Sequence, residues 1–153
     1  MRRLAAFLCA LCLALPLMAA DYAKPDRKEQ FGQLTVHYNA FPSSFLQPAV
    51  AEANGLIRSK NQGVLNISVL KDKKPTVANV TGDVKDLTGR AQSLTFKQIK
   101  EGKDAVYYIA QFPLDPGTSP TYTFTINVKA GSDDAHSFSF NQEIDQEIYP
   151  GKK

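Results

Sequence analysis

The chain has 153 residues, 22% of them charged and 43% hydrophobic, and its 18 basic and 15 acidic side chains give a formal net charge of +3. So small an excess of positive charge argues against a protein that binds nucleic acid or an anionic membrane surface. Both cysteines and both methionines lie within the first 18 residues. The remaining chain therefore lacks the sulfur ligands of copper and zinc–thiolate sites, and we predict no metal site and no cofactor.

The N-terminus has the three parts of a secretory signal peptide. Arg2 and Arg3 form a basic start, an apolar run extends over residues 4–15, and Ala19 and Ala20 supply the small side chains that cleavage requires. The apolar run is shorter than the roughly 18 residues expected of a membrane-spanning helix. We therefore assign residues 1–20 to a signal peptide cleaved near Ala20, with no integral membrane segment after cleavage.

Residues 21–30 are charged and interrupted by a proline, which predicts a flexible lead-in. In the next segment Leu34, Val36 and Tyr38 alternate with polar residues, the pattern of a half-buried strand. A long connection follows over residues 41–62, which we name the 41–62 loop.

The first part of the 41–62 loop, residues 41–55, is mostly apolar and bounded by prolines. A cap from Ser43 or Ser44, a proline in the first turn and a final Asn-Gly predict a short helix over residues 47–54. The expected apolar anchors are Phe41, Phe45, Leu46 and Val50. Two roles stay open: a plug that closes one end of the fold, or a binding loop mounted on a rigid scaffold.

The rest of the chain consists of short segments of alternating hydrophobicity separated by turn residues. Residues 105–112 are apolar on both sides, which places them in the middle of a sheet, and residues 100–103 predict a hairpin turn. The predicted fold is all-β: an antiparallel immunoglobulin-like β-sandwich of about seven strands, with one short helical excursion between the first two strands. A small barrel is the alternative. We expect a single domain over residues 31–144 and a polar C-terminal tail over residues 145–153.

Four segments carry a resemblance: FPSSFLQPAVAEANGLIRSKNQGVLNISVL, LTGRAQSLTF, DAVYYIAQFPL and HSFSFNQE. Together, in this order, they resemble a family of small exported proteobacterial proteins known as domain of unknown function 4426. The resemblance covers nearly the whole chain after the signal peptide. It implies a location in the Gram-negative periplasm and a single β-rich domain, and it implies no catalytic residues.

The first functional hypothesis is a non-catalytic binding or accessory protein that binds another envelope protein through the 41–62 loop. Hydrogen-bonding side chains follow the apolar part of this loop directly, so an apolar surface beside basic groups is expected there. A charged turn that only keeps the loop in solution is the alternative. The candidate residues for partner binding are Phe41, Phe45, Leu46, Arg58, Lys60 and Asn61.

The second hypothesis is a domain that binds a small ligand or a glycan in an open groove lined by tyrosines. Such a groove requires phenol hydroxyls without partners inside the protein. The candidates are Tyr38, Tyr107 and Tyr108, with Tyr122 as a further lining residue.

A hydrolase or a metal-binding protein is the least favoured hypothesis. His37 and His136 are the only imidazoles, and they could act with a carboxylate such as Asp133 only if their strands were neighbours. The segment after the signal peptide has no cysteine nucleophile and no Gly-x-Ser-x-Gly turn. We therefore predict that the protein is not an enzyme.

Overall fold

The computed structural model describes residues 27–103, 105–115, 117 and 120–144. These residues form two antiparallel sheets with a helix on one side. The elements are β1 (Lys28–Phe31), β2 (Leu34–Pro42), a 3-10 helix (Ser43–Phe45), α1 (Pro48–Asn54), β3 (Gln62–Lys71), β4 (Lys74–Pro75), β5 (Asn79–Asp86), β6 (Ala91–Leu94), β7 (Lys97–Glu101), β8 (Ala105–Pro113), β9 (Thr121–Lys129) and β10 (His136–Glu143).

The first sheet has the strand order β1-β2-β3-β8-β7, with β4 paired to the end of β3, and the second has the order β10-β9-β5-β6. In an immunoglobulin fold the two sheets read A-B-E-D and G-F-C, with extra strands after C in some members. Strands β2-β3-β8-β7 match the first of these orders, and β10-β9-β5-β6 matches the second with one added strand. The predicted all-β immunoglobulin-like sandwich is confirmed.

The core lies between the two sheets and is built from every second residue of the long strands. Leu65, Ile67 and Val69 of β3 are fully buried, and Phe124 and Ile126 of β9 face them from the other sheet. Burial of a side chain of this size contributes roughly 1.5–3 kcal/mol to stability. The alternating apolar residues of these strands are therefore the ones that face the core, as the sequence indicates.

The turn residues on either side of residues 92–99 predict a single strand there, but this segment contributes to two strands in different sheets. β6 pairs with β5 and β7 pairs with β8, so the chain crosses between the sheets at Thr95 and Phe96. Leu94 is buried, and Phe96 packs against the same core from a half-buried position. Leu94 and Phe96 therefore stay in phase across the crossing, and Ile99 of β7, which faces away from this core, is the first apolar residue out of phase.

The predicted flexible lead-in, residues 21–30, is wrong in its last part. Lys28–Phe31 forms β1, which pairs with residues 34–37 of β2. The ring of Phe31 stacks on that of His136 in the opposite sheet, with centroids 4.5 Å apart. The sequence KEQF hides this strand because only one of its residues is apolar. The predicted signal peptide, residues 1–20, and the tail, residues 145–153, lie outside the described residues.

β1 pairs with only the first part of β2. Farther along β2, a side chain bonds to the backbone groups that β1 does not reach. The amide of Gln142, on β10, accepts a hydrogen bond from Ala40 N–H at 3.2 Å and donates one to Ala40 C=O. Close by, Tyr38 of β2 stacks on Phe140 of β10 with ring centroids 4.0 Å apart. These contacts close one side of the sandwich.

Tyr122, the second residue of β9, is bonded to the chain just after β8. Its hydroxyl accepts a hydrogen bond from the backbone N–H of Asp115, seven residues upstream, at 3.2 Å. A tyrosine in this place, bonded back to the preceding loop, is a recurring feature of immunoglobulin-like sandwiches. Across the described residues, no helix is long and apolar enough to cross a membrane.

Candidate functional site

The 41–62 loop lies on the outer face of the six-stranded sheet. Val64, Ile99 and Ile109 face away from the core and form a second buried apolar cluster. The loop therefore covers a sheet face, which differs from the end of the sandwich that a plug would close. The partly buried side chains packed against this cluster are Phe41, Leu46, Leu56 and Tyr107.

This arrangement explains why the β8 sequence is apolar on both sides. Tyr108 and Ala110 face the core, whereas Tyr107 and Ile109 face the cluster beneath the loop. β8 also pairs with β3 on one side and β7 on the other. The predicted position inside a sheet is confirmed.

Two side chains hold the loop: one joins its start to its end, and the other joins it to β8. Ser43 is fully buried, and its Oγ donates to Ser59 C=O at 3.0 Å and accepts from Ser59 N–H at 2.9 Å. Gln111 on β8 accepts from Ile57 N–H at 3.0 Å and donates to Ile57 C=O at 2.8 Å. These four bonds hold both the start and the end of the loop.

Arg58 holds the turn that contains Phe45. Its Nε donates to Leu46 C=O at 2.7 Å and its Nη2 donates to Ser44 C=O at 3.1 Å, so it binds the backbone on both sides of Phe45. The chain around Ile57 and Arg58 is thereby brought against the chain around Phe45. Arg58 was predicted to contact a partner, but these bonds give it a structural role within the loop.

The helix predicted over residues 47–54 is observed as α1, Pro48–Asn54. The predicted serine cap is wrong, because the residue before the helix is Gln47 and Ser43–Phe45 forms a separate 3-10 helix. At the other end, Gly55 has the left-handed φ of 65°. Lys97 Nζ donates to Asn54 C=O at 2.5 Å, placing a cation where the helix dipole favours one.

Two large apolar side chains of the loop remain at the surface. Phe45 is 41% exposed and Ile57 is 63% exposed, and they are two of the four exposed large hydrophobic residues in the described chain. Lys60 and Asn61, which follow Ile57 closely in sequence, are also exposed. The structure thus divides the six predicted partner-binding residues: Phe41 and Leu46 pack on the sheet, Arg58 holds the loop, and Phe45, Lys60 and Asn61 face solvent.

Ile57 is the exposed residue that the sequence analysis missed. An isoleucine that comes directly before the charged and amide segment RSKNQ was the available signal. The exposure of Ile57 could not be inferred from alternation, because Ile57 lies outside any strand.

The predicted tyrosines do not share a groove. Tyr107 and Tyr108 are consecutive in β8 and face opposite sides of the sheet. Tyr108 is buried and its hydroxyl accepts a hydrogen bond from Ala78 N–H at 2.8 Å. Tyr38 lies half-buried at the inner side, where burial raises the pKa of its phenol and the nearby Glu29 adds to the rise. The prediction of one tyrosine-lined groove is wrong.

The two histidines belong to different sheets. His37 is exposed on β2, and His136 is half-buried at the start of β10 against Phe31. Within the part of the chain that the structure describes, no three histidine, cysteine or acidic residues are grouped so that they could hold a metal ion. The neighbouring strands that a joint site of His37 and His136 requires are not formed.

A family model described as "Domain of unknown function (DUF4426)" matches residues 28–147. The chain belongs to this family. A crystal structure of a DUF4426 family protein from Pseudomonas aeruginosa PAO1 is 49% identical in sequence, with a TM-score of 0.71. The match covers 80% of this chain and 97% of that one. The resemblance noted in the sequence is therefore confirmed.

A second solved structure, a family 123 glycoside hydrolase from Clostridium perfringens, is 12% identical and has a TM-score of 0.41. The match covers 71% of this chain and 27% of that one. A likeness of this size carries no inference about function. No curated protein matches the chain.

Proposed function

We propose that this protein is a non-catalytic accessory protein of the bacterial envelope that binds another envelope protein through the 41–62 loop. The supporting observation is that the loop is hydrogen-bonded to the sheet while Phe45 and Ile57 stay 41% and 63% exposed. Large apolar side chains on a preorganised surface can bind a partner with little further loss of conformational entropy.

Each exposed residue has a distinct role in this proposal. Phe45 and Ile57 are the apolar anchors, and Lys60 lies at the rim, where its charge favours a partner surface that carries carboxylates. Arg58 acts indirectly, because its side chain is bonded to the backbone around Phe45. Loss of Arg58 would loosen the anchors and would not remove a direct contact.

We further propose that the protein acts in the periplasm. The basis is the basic, apolar and small-residue sequence of residues 1–20, together with the exported nature implied by the family resemblance. Binding to another envelope protein follows from that location, since partners of a periplasmic protein are found in the same compartment.

Site-specific photo-crosslinking in intact cells tests the proposal. A photoreactive residue at position 60 should give one discrete crosslinked product, and the same residue at position 85 should give none. Lys85 is a suitable control because it is an exposed lysine on β5 of the other sheet. The product at position 60 should disappear in Phe45→Ser and in Ile57→Ser. Ile57→Ser is the cleaner test, because that side chain is 63% exposed and its loss should change stability by no more than about 0.5 kcal/mol. Persistence of the product in both variants, or the same product from position 85, would contradict the proposal.

A further inference from the structure

A cleft of about 700 Å³ opens at the end of the sandwich where the 41–62 loop ends. Asn61 and Gln62, at the start of β3, form one wall, and Arg90 and Gln92, at β6, form the other. The two walls come from different sheets, so the cleft is a gap between the sheets and lies beyond the apolar surface of the loop. Its volume falls in the range of about 300–1,000 Å³ that is typical of small-molecule sites.

Gln92 stands where a core residue would be expected. It lies opposite Val84 in the β5–β6 pair, and Val84 is buried, so both side chains belong to the inner face of their sheet. Leu94, the next inner-face residue of β6, is buried in the core. Because Gln92 is exposed, the core ends at Leu94 along β6, and the space next to Gln92 is open to solvent.

The lining of the cleft combines an apolar floor with polar walls. Val84 and Leu114 are buried residues of the core that reach the cleft. The side-chain amides of Asn61, Gln62 and Gln92 each offer two N–H donors and one oxygen acceptor. Groups that both donate and accept suit hydroxyl groups, which also do both, and the apolar floor suits the C–H face of a ring.

The charges in the cleft exclude an anionic ligand. Arg90 Nη2 lies 3.0 Å from Asp115 Oδ2 and Arg90 Nε lies 3.3 Å from Asp86 Oδ2. One cation is thus shared by two carboxylates, so its charge is already matched and the cleft carries no excess of positive charge. The two carboxylates also accept hydrogen bonds within the protein, Asp86 from the Thr88 hydroxyl and Asp115 from Gly117 N–H, so the cleft offers a cation no unbonded carboxylate pair. The ligand that fits this lining best is neutral and rich in hydroxyl groups.

We propose that this cleft binds a neutral saccharide through the amides of Asn61, Gln62 and Gln92, with a sugar ring against Val84 and Leu114. This site is separate from the apolar surface formed by Phe45 and Ile57, and it does not depend on the partner-binding proposal.

Protein-observed NMR with maltose and N,N′-diacetylchitobiose as separate probes tests the site. Millimolar concentrations are used because high concentrations of sugar stabilise any folded protein by exclusion from its surface. We expect saturable shifts of the side-chain amide signals of Asn61, Gln62 and Gln92 with at least one probe. No saturable shift with either probe, or saturable shifts confined to other parts of the protein, would overturn the proposal.

The variant Gln92→Leu separates binding from a structural role. It should weaken saccharide binding about tenfold, because one amide contributes on the order of 1–1.5 kcal/mol, while the fold is retained. Gln98→Leu, an exposed strand glutamine that does not line the cleft, should leave binding unchanged. If Gln92→Leu binds the probe as tightly as the wild type but self-associates, Gln92 protects the edge strand β6 from pairing, and the proposal is wrong.

Discussion

The side-chain amide of Gln111 pairs with the backbone of Ile57 in both directions, at 3.0 Å and 2.8 Å. This is the hydrogen-bonding pattern that a neighbouring β-strand would offer, but one side chain supplies it. The pairing anchors the last apolar residue of the 41–62 loop to the outer face of β8. The loop is therefore part of the folded scaffold over the sheet.

Gln111→Leu should loosen the loop without disturbing the core. We expect faster amide hydrogen exchange across residues 43–58 and a loss of about 1–2 kcal/mol in the free energy of unfolding, because two hydrogen bonds are lost at a partly exposed site. Hydrogen exchange with mass spectrometry measures the first effect and urea unfolding the second. Gln98→Leu on the adjacent strand β7 is the control. Unchanged exchange in Gln111→Leu would show that apolar packing alone holds the loop.

Gly63 is required by the ring of Phe112. A Cβ atom at position 63 would lie 2.4 Å from the Phe112 ring, which is far below van der Waals contact. Gly63→Ala should therefore destabilise the protein by about 1–3 kcal/mol through overpacking. In the double variant with Phe112→Leu the total cost should be smaller than the sum of the two single costs by at least about 0.5 kcal/mol. Strict additivity in urea unfolding would contradict this contact.

Tyr122→Phe should destabilise the fold by about 1 kcal/mol. The change removes the hydroxyl that accepts from Asp115 N–H and keeps the buried ring. Thermal or urea unfolding gives the measurement. Tyr107→Phe, which changes a tyrosine on the outer face beneath the loop, is the matched control and should change stability by less than about 0.5 kcal/mol. Equal effects of the two variants would argue against a special role of the Tyr122 hydroxyl.

The carboxyl group of Asp86 should make the free energy of unfolding depend on pH at acidic pH. The Thr88 hydroxyl, followed by the backbone N–H groups of Arg90 and Thr88, holds the pKa of Asp86 below its usual value. A lowered pKa in the folded state gives stability that is complete above the unfolded-state pKa of about 3.9 and is lost as pH falls through the folded-state pKa. Asp86→Asn and Thr88→Val should both lose less stability than the wild type between neutral pH and pH 3, as measured by urea unfolding. An identical loss in all three proteins would refute this assignment.

The exported protein should begin at Asp21. Small side chains at Ala19 and Ala20 fit the cleavage site of a signal peptidase, and Ala20→Arg should block processing. Intact-mass measurement of protein released from the periplasm checks the first expectation, and the appearance of an unprocessed precursor checks the second. Recovery of the wild-type protein with residues 1–20 still attached would contradict both.

Most of the fold could be predicted because inner and outer residues alternate along long strands. Val80 and Val84 of β5, for example, are buried around Gly82 as their spacing indicates. Two features escaped prediction for opposite reasons. β1 has too few apolar residues to show a pattern, whereas Leu94 and Phe96 stay in phase at the point where the chain changes sheets.

The candidate site was predicted less well, because its geometry depends on tertiary contacts. The sequence indicated an apolar loop next to basic groups, and both are present. It could not indicate that Leu46 would be packed and Phe45 exposed, since the two are neighbours in an irregular segment. Tyr107 and Tyr108 could not line one groove from the same strand, because consecutive residues of a strand face opposite sides of the sheet.

The amide of Gln142 occupies the donor and acceptor of Ala40 that β1 leaves open. A strand from another molecule would need those same two backbone groups in order to extend the sheet. At this position, a strand from another molecule must therefore first displace the side chain of Gln142 from the backbone of Ala40. One glutamine thus gives the protein a local barrier to ordered polymerisation at the position where β1 no longer covers β2.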